Sequence, residues 1–125
     1  MSGLLPLTAP LGRSLLALVF LLSGLTKIGA YEATQGYMAA MGVPGVLLPA
    51  VIGFEFIAPL ALIIGFYARS AAFLLAGFSL LTALIFHFDF ADQIQTVMFL
   101  KNVSIAGGLL LLVAHGPGKL AVNNR

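Results

Sequence analysis

The chain is predicted to be all-α, a polytopic membrane protein folding over residues 1–125 as a single transmembrane domain, a bundle of four transmembrane helices. Two observations carry this. Hydrophobic residues make up 61% of the 125 residues and charged residues only 8%. A soluble domain carries roughly 25% charged residues, so this chain has too few to face water all round. The apolar residues are also gathered into four runs of about 20, the length that crosses a hydrocarbon core about 30 Å thick.

The first run covers residues 10–30, opened by Pro10 and Gly12 and closed near Lys27 to Tyr31. Arg13 followed by Leu15 to Leu22 resembles the start of a signal peptide, but no Ala-x-Ala-like site follows promptly, and equally apolar runs recur three times. It is read as a retained span. Residues 31–44 contain Glu32, Thr34, Gln35, Tyr37 and Pro44 and are too short and polar to cross. They suit a short interfacial helix anchored by Tyr31 and Tyr37. The second and third spans, residues 46–66 and 68–88, are joined so tightly through Gly65 to Arg69 that they must be antiparallel neighbours. Residues 89–95 lead into the fourth span, residues 96–114, which Gly116-Pro117-Gly118 stops. Small residues at Ala68, Ala72 and Ala76, at Ser104 and Gly108, and at Ala61 and Gly65 mark expected close approaches between helices.

Arg13, Arg69, Lys119 and Arg125 fall on the side shared by both termini. The other side has only Lys27, while its loops carry Glu32, Asp89 and Asp92. This bias predicts cytoplasmic termini. The net charge of +2 comes from six scattered basic residues, which form no patch for nucleic acid. The absence of cysteine removes disulfide exchange and thiolate metal sites from the chemistry open to this chain.

Ionisable groups within a span cost roughly 2.5–3.5 kcal/mol each on insertion scales and so mark candidate sites. Lys27, Glu55, His87 and Lys101, one from each span, fall in the outer half of the bundle. Glu55 lies near the middle of the second span and needs either a proton or a cation. Lys101 and Lys27 are the available cations. Pro59 lacks the N–H that would bond the carbonyl of Glu55, which leaves that oxygen free. Plainer readings stand beside these: Lys27 snorkelling to the interface, His87 as an interfacial residue, Glu55–Lys101 as a purely structural ion pair, and Asn102, Gln95 and Ser104 as interhelical hydrogen-bonding groups. Phe86, Phe88, Phe90 and Phe99 read as an outer aromatic belt before they read as a quinone pocket. The spacing of His87, Asp89, Asp92 and Glu55 is too generic to define a metal site, and none is expected.

The segments Phe20-Leu21-Leu22-Ser23-Gly24-Leu25-Thr26-Lys27-Ile28, Gly42-Val43-Pro44, Glu55, Gly65-Phe66-Tyr67-Ala68-Arg69 with Ala71-Ala72, His87, Leu100-Lys101-Asn102 with Gly107-Gly108-Leu109, and Gly116-Pro117-Gly118 resemble, in that order, the DoxX family of small bacterial membrane proteins. The resemblance implies a four-helix bundle in the bacterial inner membrane. It also implies a link to quinone-linked oxidation or redox stress, often beside a soluble oxidoreductase. By position, Lys27, Glu55, Arg69, His87, Lys101 and Asn102 match the family's recurring polar residues. Two departures stand out. Pro59 replaces an expected small residue, which concerns the local shape of the second span, and the tail lacks a Ser-x-Asp ending, a difference expected to matter little.

The leading expectation is a buried Glu55–Lys101 centre, with Lys27, His87 and Asn102 near it and Pro59 and Arg69 in structural roles, that binds a quinone or similar carbonyl compound. No catalytic residue is assigned. Without cysteine, and with too few histidines for bis-His haem inside the bundle, any electrons must come from a partner. Besides the bilayer, the expected partners are a soluble or membrane oxidoreductase and further copies of the chain. Two rivals remain. A small proton-coupled multidrug transporter would place its acid in the first span and use tryptophan. A non-catalytic scaffold would use the polar cluster only to fix helix register.

Overall fold

The computed structural model describes residues 5–125. After a 3₁₀ turn at Leu5–Leu7, α1 runs Thr8–Gly29, α2 Tyr31–Ala40, α3 Leu48–Ile64, α4 Ala68–Phe86 and α5 Gln93–His115. The stretches Leu5–Gly29, Gly45–Ile64, Ala68–Phe86 and Gln93–His115 are long and apolar enough to cross a membrane. They match the four expected spans within a few residues at each end.

Local chemistry sets the boundaries. Pro10 and Pro49 sit in first turns, where a missing N–H costs nothing. The short helix expected in residues 31–44 is α2, separated from α1 by a break at Ala30. α3 closes on Gly65, whose left-handed φ of 75° lets Phe66 N–H bond Ala61 O at 2.9 Å, a Schellman end that glycine adopts without strain. α5 starts three residues earlier than expected, because the Asp92 carboxylate accepts from Ile94 N–H at 2.9 Å and caps the helix there. α3 passes through Pro59 unbroken.

Antiparallel pairing follows from side-chain partners. Arg13 meets Ile63, and Lys27 meets Glu55, which sets α1 against α3. The rings of Phe54 and Phe78 lie 5.2 Å apart between α3 and α4, and Asn102 reaches Thr82 between α5 and α4. α1 touches α5 sparingly, around Leu16 and Gly108. The apolar core joins Ala17 and Phe20, Ala58 and Leu62, Ala68, Ala72, Leu75 and Ala76, and Ala106 and Leu109. The expected alanine ladder on α4 is fully enclosed. Ser104, expected in a helix contact, is exposed instead. Large apolar side chains cover the outside, among them Leu15, Leu22, Ile57, Phe73 and Leu111, as lipid contact requires.

The tail is more than a stop signal. Residues 116–125 fold back across one end of the bundle, with Val122 N–H on Ile64 O and Asn123 N–H on Gly65 O, both at 3.2 Å. Arg13 holds this strap. Expected to be a topogenic charge, it is 2% exposed. It donates to Ile63 O (3.2 Å), Pro117 O (2.7 Å) and Lys119 O (2.8 Å), and also to Leu120 O. Four of the five guanidinium N–H donors thus meet carbonyls, and every nitrogen has a partner without a carboxylate. The strap accounts for Gly118, where a Cβ would fall 2.3 Å from the Ala9 Cβ. The tail therefore contributes to the fold through its backbone carbonyls and Gly118.

Candidate functional site

Glu55 lies seven residues into α3, about 10 Å along its axis from the loop-side end. It sits one turn beyond Ala58, at the rim of the apolar core, and is 1% exposed. Its partner is Lys27. Nζ stands 2.7 Å from Glu55 Oε1 and also donates to Ser23 Oγ at 2.7 Å. Among the described residues neither buried Glu55 oxygen has an aligned hydrogen-bond partner: Oε1 is held by the ion pair alone and Oε2 by nothing.

Helix geometry explains this pairing. Side chains on a helix lean toward its N-terminus. Lys27, near the C-terminal end of α1, therefore reaches back into the bundle past Ser23, one turn below it. Glu55, on the antiparallel α3, leans toward the loop end. The two stems approach each other from opposite directions. Lys27 remains 25% exposed in its side chain, so the ammonium joins a sealed carboxylate to the bundle surface.

Lys101 is exposed and, among the described residues, forms no ion pair. The expected Glu55–Lys101 centre is therefore replaced by Lys27–Glu55. α5 turns Asn102, Ala106, Leu109 and Val113 inward, and Lys101, one residue from Asn102, is rotated about 100° off that face. Asn102 donates to Thr82 Oγ1 at 3.2 Å, an interhelical bond on α4 and α5. His87 Nδ1 lies 2.8 Å from Gln95 Oε1, which ties the end of α4 to the start of α5. The four groups expected to share one depth thus divide into one ion pair, one tie through His87 and one exposed lysine, and Asn102 adds a second interhelical tie. Ser23 was missed, although its position four residues before Lys27 on one helix face could have found it.

Above this level a cavity of about 270 Å³ opens between α2 and the α4–α5 turn, lined by Tyr37, Met41, Phe86, Phe88, Asp89 and Asp92 among others. Tyr37 stacks on Phe86 with centroids 5.5 Å apart and donates to Phe86 O at 3.1 Å. Phe88, Phe90 and Phe99 pack edge to face with centroids 5.0–6.1 Å apart. The two aspartates hold backbone N–H groups of the turn. Among the described residues, no group of three or more His, Asp or Glu is placed to hold a metal ion.

Four long apolar helices, with a buried glutamate paired to a partly exposed lysine between the first and third, define an all-α integral membrane protein. The DoxX family's sequence profile matches residues 9–88, and the chain belongs to that family. It is 48% identical over 111 residues to inner membrane protein YqjF of Escherichia coli strain K12, covering 89% of this chain and 85% of that one. It is 35% identical over 127 residues to inner membrane protein YphA of the same organism, covering 96% and 91%. No solved structure matches it significantly.

Proposed function

We propose that this chain is a multi-pass inner-membrane protein with cytoplasmic termini that binds a quinone-like carbonyl compound at the Lys27–Glu55 pair and serves a partner oxidoreductase as a subunit or adaptor. The observation that carries the reading is Glu55 itself, sealed from solvent with Oε2 unpartnered and Oε1 on an ammonium that is still a quarter exposed.

An unpaired buried acceptor is costly, and a protonated Glu55 could use that oxygen as a donor or hand a proton on. Lys27 has three N–H donors, of which one bonds Ser23 and a second faces Glu55 Oε1 in an ion pair without hydrogen-bond alignment. The third suits a ligand carbonyl oxygen arriving from the lipid side. A quinone, when bound, supplies the electron-accepting chemistry that a chain without cysteine does not. The chain's own residues orient the carbonyl and hold the proton beside it. The inner-membrane location and the orientation rest on the named relatives and on the clustering of Arg69, Lys119 and Arg125 at the tail end.

The test is thermal stabilisation of the purified protein in detergent by a short-chain ubiquinone or menaquinone analogue. The wild type should be stabilised, and Glu55→Gln should fold without responding. A Gln variant that responds like the wild type removes the proton-holding role. The transporter reading is disfavoured by Lys27, since an organic cation would have to displace an ammonium already 2.7 Å from the carboxylate. Proton-coupled uptake of such a cation into proteoliposomes would reverse that ranking. Co-purification of an oxidoreductase, unchanged by Glu55→Ala and with no quinone response, would favour the scaffold.

A further inference from the structure

A second polar feature lies at the opposite end of the bundle, on the outer surface between α4 and α5. A groove of about 390 Å³ there is lined by Arg69, Ser70, Phe73, Leu74 and Val113. Its chemistry is graded along the membrane normal. Arg69 and Ser70 belong to the first turn of α4, level with the end of the span. Phe73 and Leu74 lie about one turn deeper and are largely exposed, at 61% and 56%.

Arg69 is held at the head of this groove. Its guanidinium packs against Gly116, where a Cβ would fall 2.7 Å from Nη2, and Nη2 lies 3.5 Å from Asn124 Oδ1. The strap thus fixes the side chain but gives it little hydrogen bonding, and Arg69 Nε is buried without a partner among the described residues. The contrast with Arg13, which meets four carbonyls, is direct.

The charged side chains around the groove are of one sign, and the Ser70 backbone N–H is taken by Arg125 O at 3.4 Å, which leaves the Ser70 hydroxyl for a ligand. Lys119 and Arg125 lie on the same end, whereas the chain's four acidic side chains are Glu32, Glu55, Asp89 and Asp92, all elsewhere. We propose that this groove is a binding site for an anionic phospholipid, its phosphate held by Arg69 with Ser70 and an acyl chain lying along Phe73, Leu74 and Val113. The polar-to-apolar grading selects a lipid over a soluble anion, because free phosphate would use only the head of the groove. Basic pockets between helices at the membrane surface take such headgroups by the same logic.

The full-length protein in detergent micelles, doped with equal amounts of phosphatidylglycerol and phosphatidylcholine, is examined by native mass spectrometry. The wild type should retain one phosphatidylglycerol in preference to phosphatidylcholine. Arg69→Gln should lower that preference by about fivefold, the worth of one basic residue at an anionic surface. Asn124→Asp, which leaves Arg69 in place but sets a carboxylate beside it, should do the same and guards against a folding defect in the first variant. Lys119→Gln, outside the groove, should retain it. Equal retention of both lipids by the wild type, an unchanged preference in Arg69→Gln and Asn124→Asp, displacement of the lipid by equimolar inorganic phosphate, or a dimer that excludes lipid would each overturn the proposal.

Discussion

Removing Lys27 should harm the protein more than neutralising Glu55, and a second substitution should repair part of the damage. Lys27→Met leaves a carboxylate that is 1% exposed with neither oxygen paired. Breaking a buried pair from this side costs about 3–5 kcal/mol. Glu55→Gln keeps the shape and removes the charge. It leaves the Lys27 ammonium with Ser23 and a quarter of its surface exposed, so the loss should not exceed that of one hydrogen bond to a charged group, about 1.5–3 kcal/mol. In Lys27→Met/Glu55→Gln no buried charge remains, and the double variant should be about 2 kcal/mol more stable than additivity requires. Reversible unfolding of purified protein in mixed micelles of increasing SDS fraction gives the free energies, and the four-corner cycle isolates the coupling. Lys101→Met combined with Glu55→Gln is the control and should be additive, since Lys101 is exposed and unpaired. Equal costs for the two Lys27–Glu55 single variants, strictly additive in the double, would refute the argument, as would coupling between Glu55 and Lys101.

Three further expectations rest on other parts of the fold. Arg13→Gln removes most of four bonds to backbone carbonyls; at about 1.5–3 kcal/mol each for a charged donor, loss of two alone exceeds about 3 kcal/mol, and trypsin should then cut after Lys119 much faster than in the wild type. Gly65→Ala imposes a left-handed φ on alanine and brings its Cβ to 2.3 Å from that of Ala121, so SDS unfolding should show a loss above about 1 kcal/mol, whereas unaltered stability would mean that the strap does not sit on Gly65. Single cysteines at Asp89 and Lys119, in a chain that has none of its own, should report orientation: a membrane-impermeant maleimide added to spheroplasts should label Asp89→Cys and spare Lys119→Cys, and the reverse pattern would invert the topology.

Much of the architecture was legible because lipid is an undemanding solvent to read. Each span must be apolar over a fixed length and must satisfy its own backbone, so composition and run length suffice to locate it. The tight Gly65 to Arg69 join and the alanine ladder on α4 were legible for similar reasons, a short connection and a small side chain being local constraints. Glu55 stood out because a mid-span carboxylate is costly wherever it points. The choice between Lys27 and Lys101 was not legible. Both are lysines at comparable depth, and run length carries no information on azimuth. The hydrophobic pattern of α5 is too uniform to tell which face turns inward.

The sequence by itself determined that this protein is a four-span bundle with a buried acid, because the cost of placing polar groups in hydrocarbon depends on residue type and depth alone. Only the tertiary structure decided which groups meet. It set Lys27 and Ser23 on Glu55, sent Lys101 outward, tied His87 to Gln95 and drew the tail across Arg13. Those outcomes depend on how each helix is rotated about its axis and where the strap lies. Rotation is fixed by packing against neighbouring helices, which a single segment's pattern does not contain.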